Sequence, residues 1–165
     1  MEATERLDLR PWTLDDVEAF HDIWGDPDVI WWGHSRSPAE SREVLVSAIE
    51  ACTGLPDGLR WFAVIERESG RVAGNVFLRP CSYGDGLELG YHFARAFQNR
   101  GYATEASEAL IAFAFRAGYG RVVAIVVPDN APSQRVVRKL GMRKTGTVVH
   151  GGLLHDVFEV GLGDR

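Results

Sequence analysis

The stretch Gln98-Asn99-Arg100-Gly101-Tyr102-Ala103-Thr104 lies between an apolar run, Leu87–Phe93, and an alanine-rich segment. In that segment Ala106, Leu110, Phe113, Ala114 and Ala117 recur at helical spacing. A helix that starts at a glycine-containing turn leaves its first amide N–H groups unpaired and carries partial positive charge. Such a terminus is a ready site for a phosphate. Gly101 lets a ligand approach the backbone, and Ala103 keeps the next turn narrow. The unit therefore reads as strand, anion-binding turn and packed helix. It is not a P-loop, because Gly101 is followed by Tyr-Ala-Thr where that loop needs Gly-Lys-Ser/Thr. Nor is it a dinucleotide fingerprint, which needs three spaced glycines.

Strand alternation sends Leu87, Leu89, Tyr91 and Phe93 to one side and Glu88, Gly90 and His92 to the other. A carboxylate and an imidazole on one face should not line a dry core, because unpaired burial is costly. That face is expected to border a wet cleft. Upstream, residues 7–9 read as a strand. Thr13 caps a helix striped by Leu14, Val17, Phe20 and Trp24, and Ser37-Pro38-Ala39-Glu40 opens a second helix with a capping box. Residues 60–67 and 72–78 form a hairpin. Gly74 marks a bulge or a close backbone approach. Downstream, residues 121–127 are a buried strand, a short helix runs from about Ser133 to Leu140, and residues 143–149 and 155–162 make a last hairpin around Gly151-Gly152. This order implies an α/β sheet with antiparallel flanks.

A chain of 165 residues is expected to form one domain, residues 1–165. Apolar content of 45% and charged content of 25% are those of a globular protein. A net charge of -5 argues against a nucleic-acid partner. It is compatible with attracting cationic amines, though solubility is the plainer reading. Cys52 and Cys81 show no disulfide or metal spacing, and no run is apolar enough to span a bilayer. These features lead us to expect a cytoplasmic protein with no metal, no membrane partner and room for a homodimer.

The turn resembles Gln/Arg-x-x-Gly-x-Gly/Ala, the coenzyme A pyrophosphate loop of the GNAT N-acetyltransferases. Other blocks extend the likeness in order along the chain: Leu9-Arg10-Pro11-Trp12 with Leu14-Asp15-Asp16, then Glu88-Leu89-Gly90-Tyr91, then Gly101 to Ala106, then Asn130 to Ser133 with Lys139-Leu140-Gly141-Met142. They are similar to the RimJ/RimL-type branch, the ribosomal-protein-alanine acetyltransferases. The resemblance implies a GNAT fold: a mixed sheet of about six to seven strands with a splayed central parallel pair and about four helices. It also implies transfer of an acetyl group from acetyl-CoA to a primary amine, a protein N terminus or a small molecule. A non-catalytic acyl-CoA-binding or regulatory module of the same fold is the alternative.

Such a family member would hold the pyrophosphate on the backbone of Asn99, Gly101, Tyr102, Ala103 and Thr104, with Gln98 and Arg100 as side-chain helpers. Pantetheine would pair with Tyr91, His92 and Phe93 and touch Asn130. Glu88 is a candidate general base, or else pairs with Arg79 or Arg95 for structure. His92 is the second candidate base. Many GNATs place a tyrosine in the last helix to protonate the leaving thiolate. Val137 stands there instead, which leaves two routes: Ser133, the nearby hydroxyl, acts as the acid, or the thiol departs directly through solvent. Ser133 is also read as a helix N-cap, alone or in addition. Trp31 and Trp32 fall where the family shapes its acceptor pocket. The likeness also puts His155-Asp156 near that pocket, as structural or substrate-lining residues and not as a metal pair.

Overall fold

One mixed sheet runs through the chain. The computed structural model describes residues 2–30, 36–52, 61–82 and 84–164. Its strands are β1 (Glu2–Ala3), β2 (Leu7–Pro11), β3 (Trp61–Glu66), β4 (Val72–Pro80), β5 (Leu87–Phe93), β6 (Arg121–Val126), β7 (Arg143–His150) and β8 (Leu153–Gly161). Its helices are α1 (Val17–Trp24), α2 (Pro38–Ala51), α3 (Tyr102–Arg116) and α4 (Ala131–Lys139). The strand order is β1-β2-β3-β4-β5-β6-β8-β7. If the two-residue β1 is set aside, the expected strand number, helix number and antiparallel flanks are all present.

The parallel pair decides the architecture. β5 and β6 are in register only at Leu87↔Val122 and Glu88↔Val123. Beyond that point β5 stays with β4 as far as Gly74↔Phe93, while β6 follows β8 as far as Val126↔Asp156. Each central strand thus holds to its antiparallel neighbour and leaves the other. The sheet is split at its middle, with one edge of β5 open.

Alternating side chains load both faces. Leu7, Leu9, Val64, Val76, Leu78, Leu87 and Leu89 pack beneath α3 and α4 together with Ala106, Leu110, Ile111 and Val137. Trp12, Phe20, Ile23, Trp24, Leu45 and Ala63 form the core under α1 and α2. Val137 is fully buried in the first core, so that helix position contributes packing where the family's tyrosine would offer a hydroxyl.

Several local expectations shift. Leu14 is 47% exposed, because Leu14–Asp16 is a separate 3-10 turn and the apolar stripe starts at α1 itself. Helix α3 buries Tyr102, Ala106, Leu110, Ile111 and Ala114, while Ala117 is its exposed C-cap. Helix α4 begins at Ala131, capped by Asn130, whose Oδ1 accepts from the Ser133 N–H (3.1 Å). Ser133 is therefore not the N-cap. Pro132 fits the first turn, where an N–H would have no helical partner. Gly74 is a close approach: a Cβ there would sit 2.5 Å from the His92 carbonyl oxygen.

Candidate active site

The split in the sheet opens two clefts, one on either side of the β5 edge. The first is a groove of about 340 Å³ between the start of α3 and α4. Its floor includes Tyr91, Phe93, Gln98, Asn99, Gly101, Ala103 and Thr104. Asn99 (φ 60°) and Gly101 (φ 82°) both take left-handed backbone angles in the turn that lines the groove, the kind of backbone from which anion-binding nests of successive amides are built. A side chain at Gly101 would be strained by that angle. The α3 N terminus adds its dipole to these donors. The arrangement fits a pyrophosphate.

The β5 edge supplies the rest of the groove. Ala94 donates its N–H to the Ala73 carbonyl on the β4 side (3.0 Å). Alternation then turns the backbone groups of Tyr91 and Phe93 to the open edge, and those of His92 to β4. His92 is thus removed from the backbone partners expected for pantetheine. Gln98 does not reach into the groove as a free helper, since its Nε2 donates to the Phe93 carbonyl (3.0 Å). Arg100 turns away altogether. It pairs with Glu66 (3.0 Å), which also accepts from Ser69 and from Tyr102, both at 2.6 Å. Those hydrogen bonds, with Arg100 behind them, hold the Glu66 carboxyl below its ordinary pKa. Arg6 bonds the Arg100 carbonyl (3.0 Å) and Glu105, which ties the loop to the N-terminal strand. Among the described residues, the cations that do line the groove are Arg135 and Lys139, four residues apart on α4. Sequence reasoning missed them, although their helical spacing beside a phosphate loop was available as a signal.

The second cleft, about 390 Å³, lies on the other side and includes Glu88, Gly90 and His92, as the alternation of β5 requires. Glu88 accepts twice from Arg79, Nη2 to Oε1 at 2.7 Å and Nε to Oε2 at 3.1 Å. The pairing with Arg79 is therefore formed, and the one with Arg95 is not, since Arg95 bonds Asp28 (2.5 Å). Gly90 leaves room for the Phe77 ring, which a Cβ would meet at 2.1 Å. That space lets Phe77 lie flat against Trp61 (5.1 Å, 15°), and Trp61 against Trp24 (5.4 Å, 21°).

His92 packs on Trp24 with ring centres 4.5 Å apart. It keeps some solvent contact, yet desolvation and then the charge of Arg36 push its pKa down to about 3. It is a neutral imidazole and a weak base. His155 also lines this cleft, and its Nδ1 donates to the Leu153 carbonyl (2.9 Å), since a carbonyl can only accept. Its Nε2 is then the ring's acceptor, bonded to nothing among the described residues. Asp156 is not its partner; that carboxylate binds Lys144 (2.6 Å) and Gln134 (3.1 Å). Trp31 and Trp32 lie outside the described residues.

The two clefts share Tyr91, His92, Asn130 and Ser133. At that junction the Tyr91 hydroxyl and Ser133 Oγ are 2.7 Å apart. Burial pushes the Tyr91 pKa up to about 12, so it remains a hydroxyl at neutral pH. Its side chain was not singled out by sequence. Only the fold brings β5 against the first turn of α4.

The acetyltransferase (GNAT) domain family matches residues 6–143. An uncharacterized N-acetyltransferase of Bacillus subtilis, YnaD, is 28% identical over 145 residues, covering 87% of this chain and 82% of its own. The crystal structure of a GNAT-family acetyltransferase from Bacillus anthracis superposes with a TM-score of 0.81 at 27% identity, covering 96% of this chain and 95% of that one. RimL, a ribosomal L7/L12 α-N-protein acetyltransferase solved with coenzyme A, shares the fold (TM-score 0.75, 18% identity, 98% and 97% covered).

Proposed function

Because this chain belongs to the GNAT acetyltransferase family, we propose that it is an N-acetyltransferase moving an acetyl group from acetyl-CoA to a primary amine by direct attack in a ternary complex. The observation that carries this reading is the meeting of the two clefts at Tyr91, His92, Asn130 and Ser133. A thioester donor in the groove and an amine in the second cleft would face each other there without a covalent enzyme intermediate. The likeness of its sequence blocks to the RimJ/RimL-type branch supports the same chemistry, and the reduced thiols of Cys52 and Cys81 support a cytoplasmic setting.

Acetyl-CoA supplies the activated acetyl group. The chain's own groups do the remainder. Amides of the Asn99–Thr104 turn hold the pyrophosphate, and the open edge of β5 at Tyr91 and Phe93 pairs with pantetheine. An N–H at that edge polarises the thioester carbonyl. As the N–C bond forms and the C–S bond breaks, the amine loses a proton and the thiolate gains one. We assign the accepting atom to His155 Nε2, in preference to Glu88, whose two oxygens already accept from Arg79. His92 is too weak a base to take it. The Ser133 hydroxyl, backed by Tyr91, serves the departing thiolate.

The test is acetyl-CoA-dependent thiol release with a panel of peptides and small amines. Release that needs an amine, with mass spectrometry showing the acetylated amine, is the expected result. Tight coenzyme A binding with no release from any amine would overturn the reading.

A further inference from the structure

The second cleft contains a stack of rings with a guanidinium at each end. Arg36 lies over Trp24 (4.9 Å), Trp24 stacks on Trp61, Trp61 on Phe77, and Arg79 lies over Phe77 (5.2 Å). The two ends differ. Arg79 has its counter-charge in the fold, the carboxylate of Glu88. Arg36 has none among the described residues, and its Nη1 is buried without a hydrogen-bond acceptor. Beside it, the Trp24 Nε1–H is likewise buried and unaccepted.

Two buried donors with no acceptor are costly to leave unmade. One of them is permanently charged. Both belong to residues that line the cleft. The lining contains one carboxylate among the described residues, Glu88, and that one is already engaged twice. The chain is acidic overall, but this cleft presents uncompensated positive charge.

Resting on the acetyltransferase reading above, we propose that the acceptor is a small amino acid-like amine, whose carboxylate is bound by Arg36 and the Trp24 indole N–H. A carboxylate is acceptor-only and matches both donors, and charge-assisted bonds are stronger than neutral ones. With their faces stacked on one another, the rings of Trp24, Trp61 and Phe77 present apolar edges along the cleft, which suit an apolar or aromatic side chain edge-on. A cavity of about 390 Å³ suits a molecule of that size. The positive charge also favours the neutral form of the attacking amine, which is the nucleophilic form.

The experiment compares matched amines in the thiol-release assay: aromatic and aliphatic amino acids, their α-amides, and the corresponding aminophosphonates. Wild-type protein should use the free carboxylates with kcat/KM about tenfold or more above the amides. Arg36→Gln should remove that preference by raising KM for the carboxylates, while the amides and acetyl-CoA affinity stay unchanged. Arg36→Lys should restore part of it. Aminophosphonates preferred over carboxylates would overturn the carboxylate assignment. Equal use of acids and amides, or an Arg36→Gln loss shared by both, would overturn the site. The same amino acids are titrated by calorimetry into the coenzyme A complex. Arg36-dependent binding without turnover would sustain this site while sinking the acetyl-transfer reading, so the two fail separately.

Discussion

The groove and the second cleft share a wall yet are built from different material. The groove is made of main chain: left-handed residues at Asn99 and Gly101, the first amides of α3, and the edge of β5 that β6 leaves open. The cleft is made of side chains drawn from α1, β3, β4, β5 and β8, stacked as rings and guanidinium groups. Backbone donors bind what every coenzyme A shares, and they depend on few side-chain identities. A side-chain cleft changes its ligand with each substitution. One fold can therefore keep its acyl donor and exchange its acceptor.

This division can be broken from either side. The largest effect is expected at His155. His155→Gln removes the accepting nitrogen and should lower kcat by about 10²–10⁴-fold, with coenzyme A affinity by calorimetry unchanged. A loss of coenzyme A affinity would show that the two sites are not separable. An unchanged kcat would return the base to Glu88.

Next comes Gly101→Val, the complementary lesion. Its positive φ strains a β-branched residue by roughly 1–3 kcal/mol, which should weaken acetyl-CoA binding by about 10–100-fold. Acceptor binding to the cleft and the circular dichroism spectrum should stay as in wild type. Wild-type affinity in a folded variant would remove the turn from the site.

The smallest effect is expected at the shared wall. The folded-state pKa of His92, about 3, lies below the ordinary imidazole value. Between about 6.5 and 3 the unfolded chain binds a proton that the folded chain does not, so stability falls as pH is lowered through that window. His92→Gln removes this titration. Its melting temperature should decline less than that of wild type as pH drops from about 6.5 to 4. Parallel declines would show that His92 is not held neutral.

What was legible in the sequence follows the same division. The strand, turn and helix around Gly101 were readable because local periodicity and one glycine encode them. The alternation of Glu88, Gly90 and His92 placed them correctly on a cleft wall. The partners of these residues were not readable. Whether Glu88 meets Arg79 or Arg95 depends on the β4–β5 register, in which Arg79 faces Glu88. Arg100 reads as a phosphate ligand from its position in the loop, yet the buried carboxylate of Glu66, 34 residues earlier, draws it away. Ser133 looked like a helix cap until Asn130, three residues before it, took that place. The ring stack and the Tyr91–Ser133 pair join residues far apart in the chain, so no local pattern announces them.

The most direct test of the central claim, that donor and acceptor react face to face across the β5 edge, is the two-substrate rate pattern. Initial rates of thiol release are measured with acetyl-CoA and an accepted amine varied together, alongside intact-protein mass after mixing with acetyl-CoA alone. The account predicts intersecting double-reciprocal lines and no acetylated protein. Parallel lines together with a protein heavier by one acetyl group would contradict it, because they are the mark of a covalent enzyme intermediate.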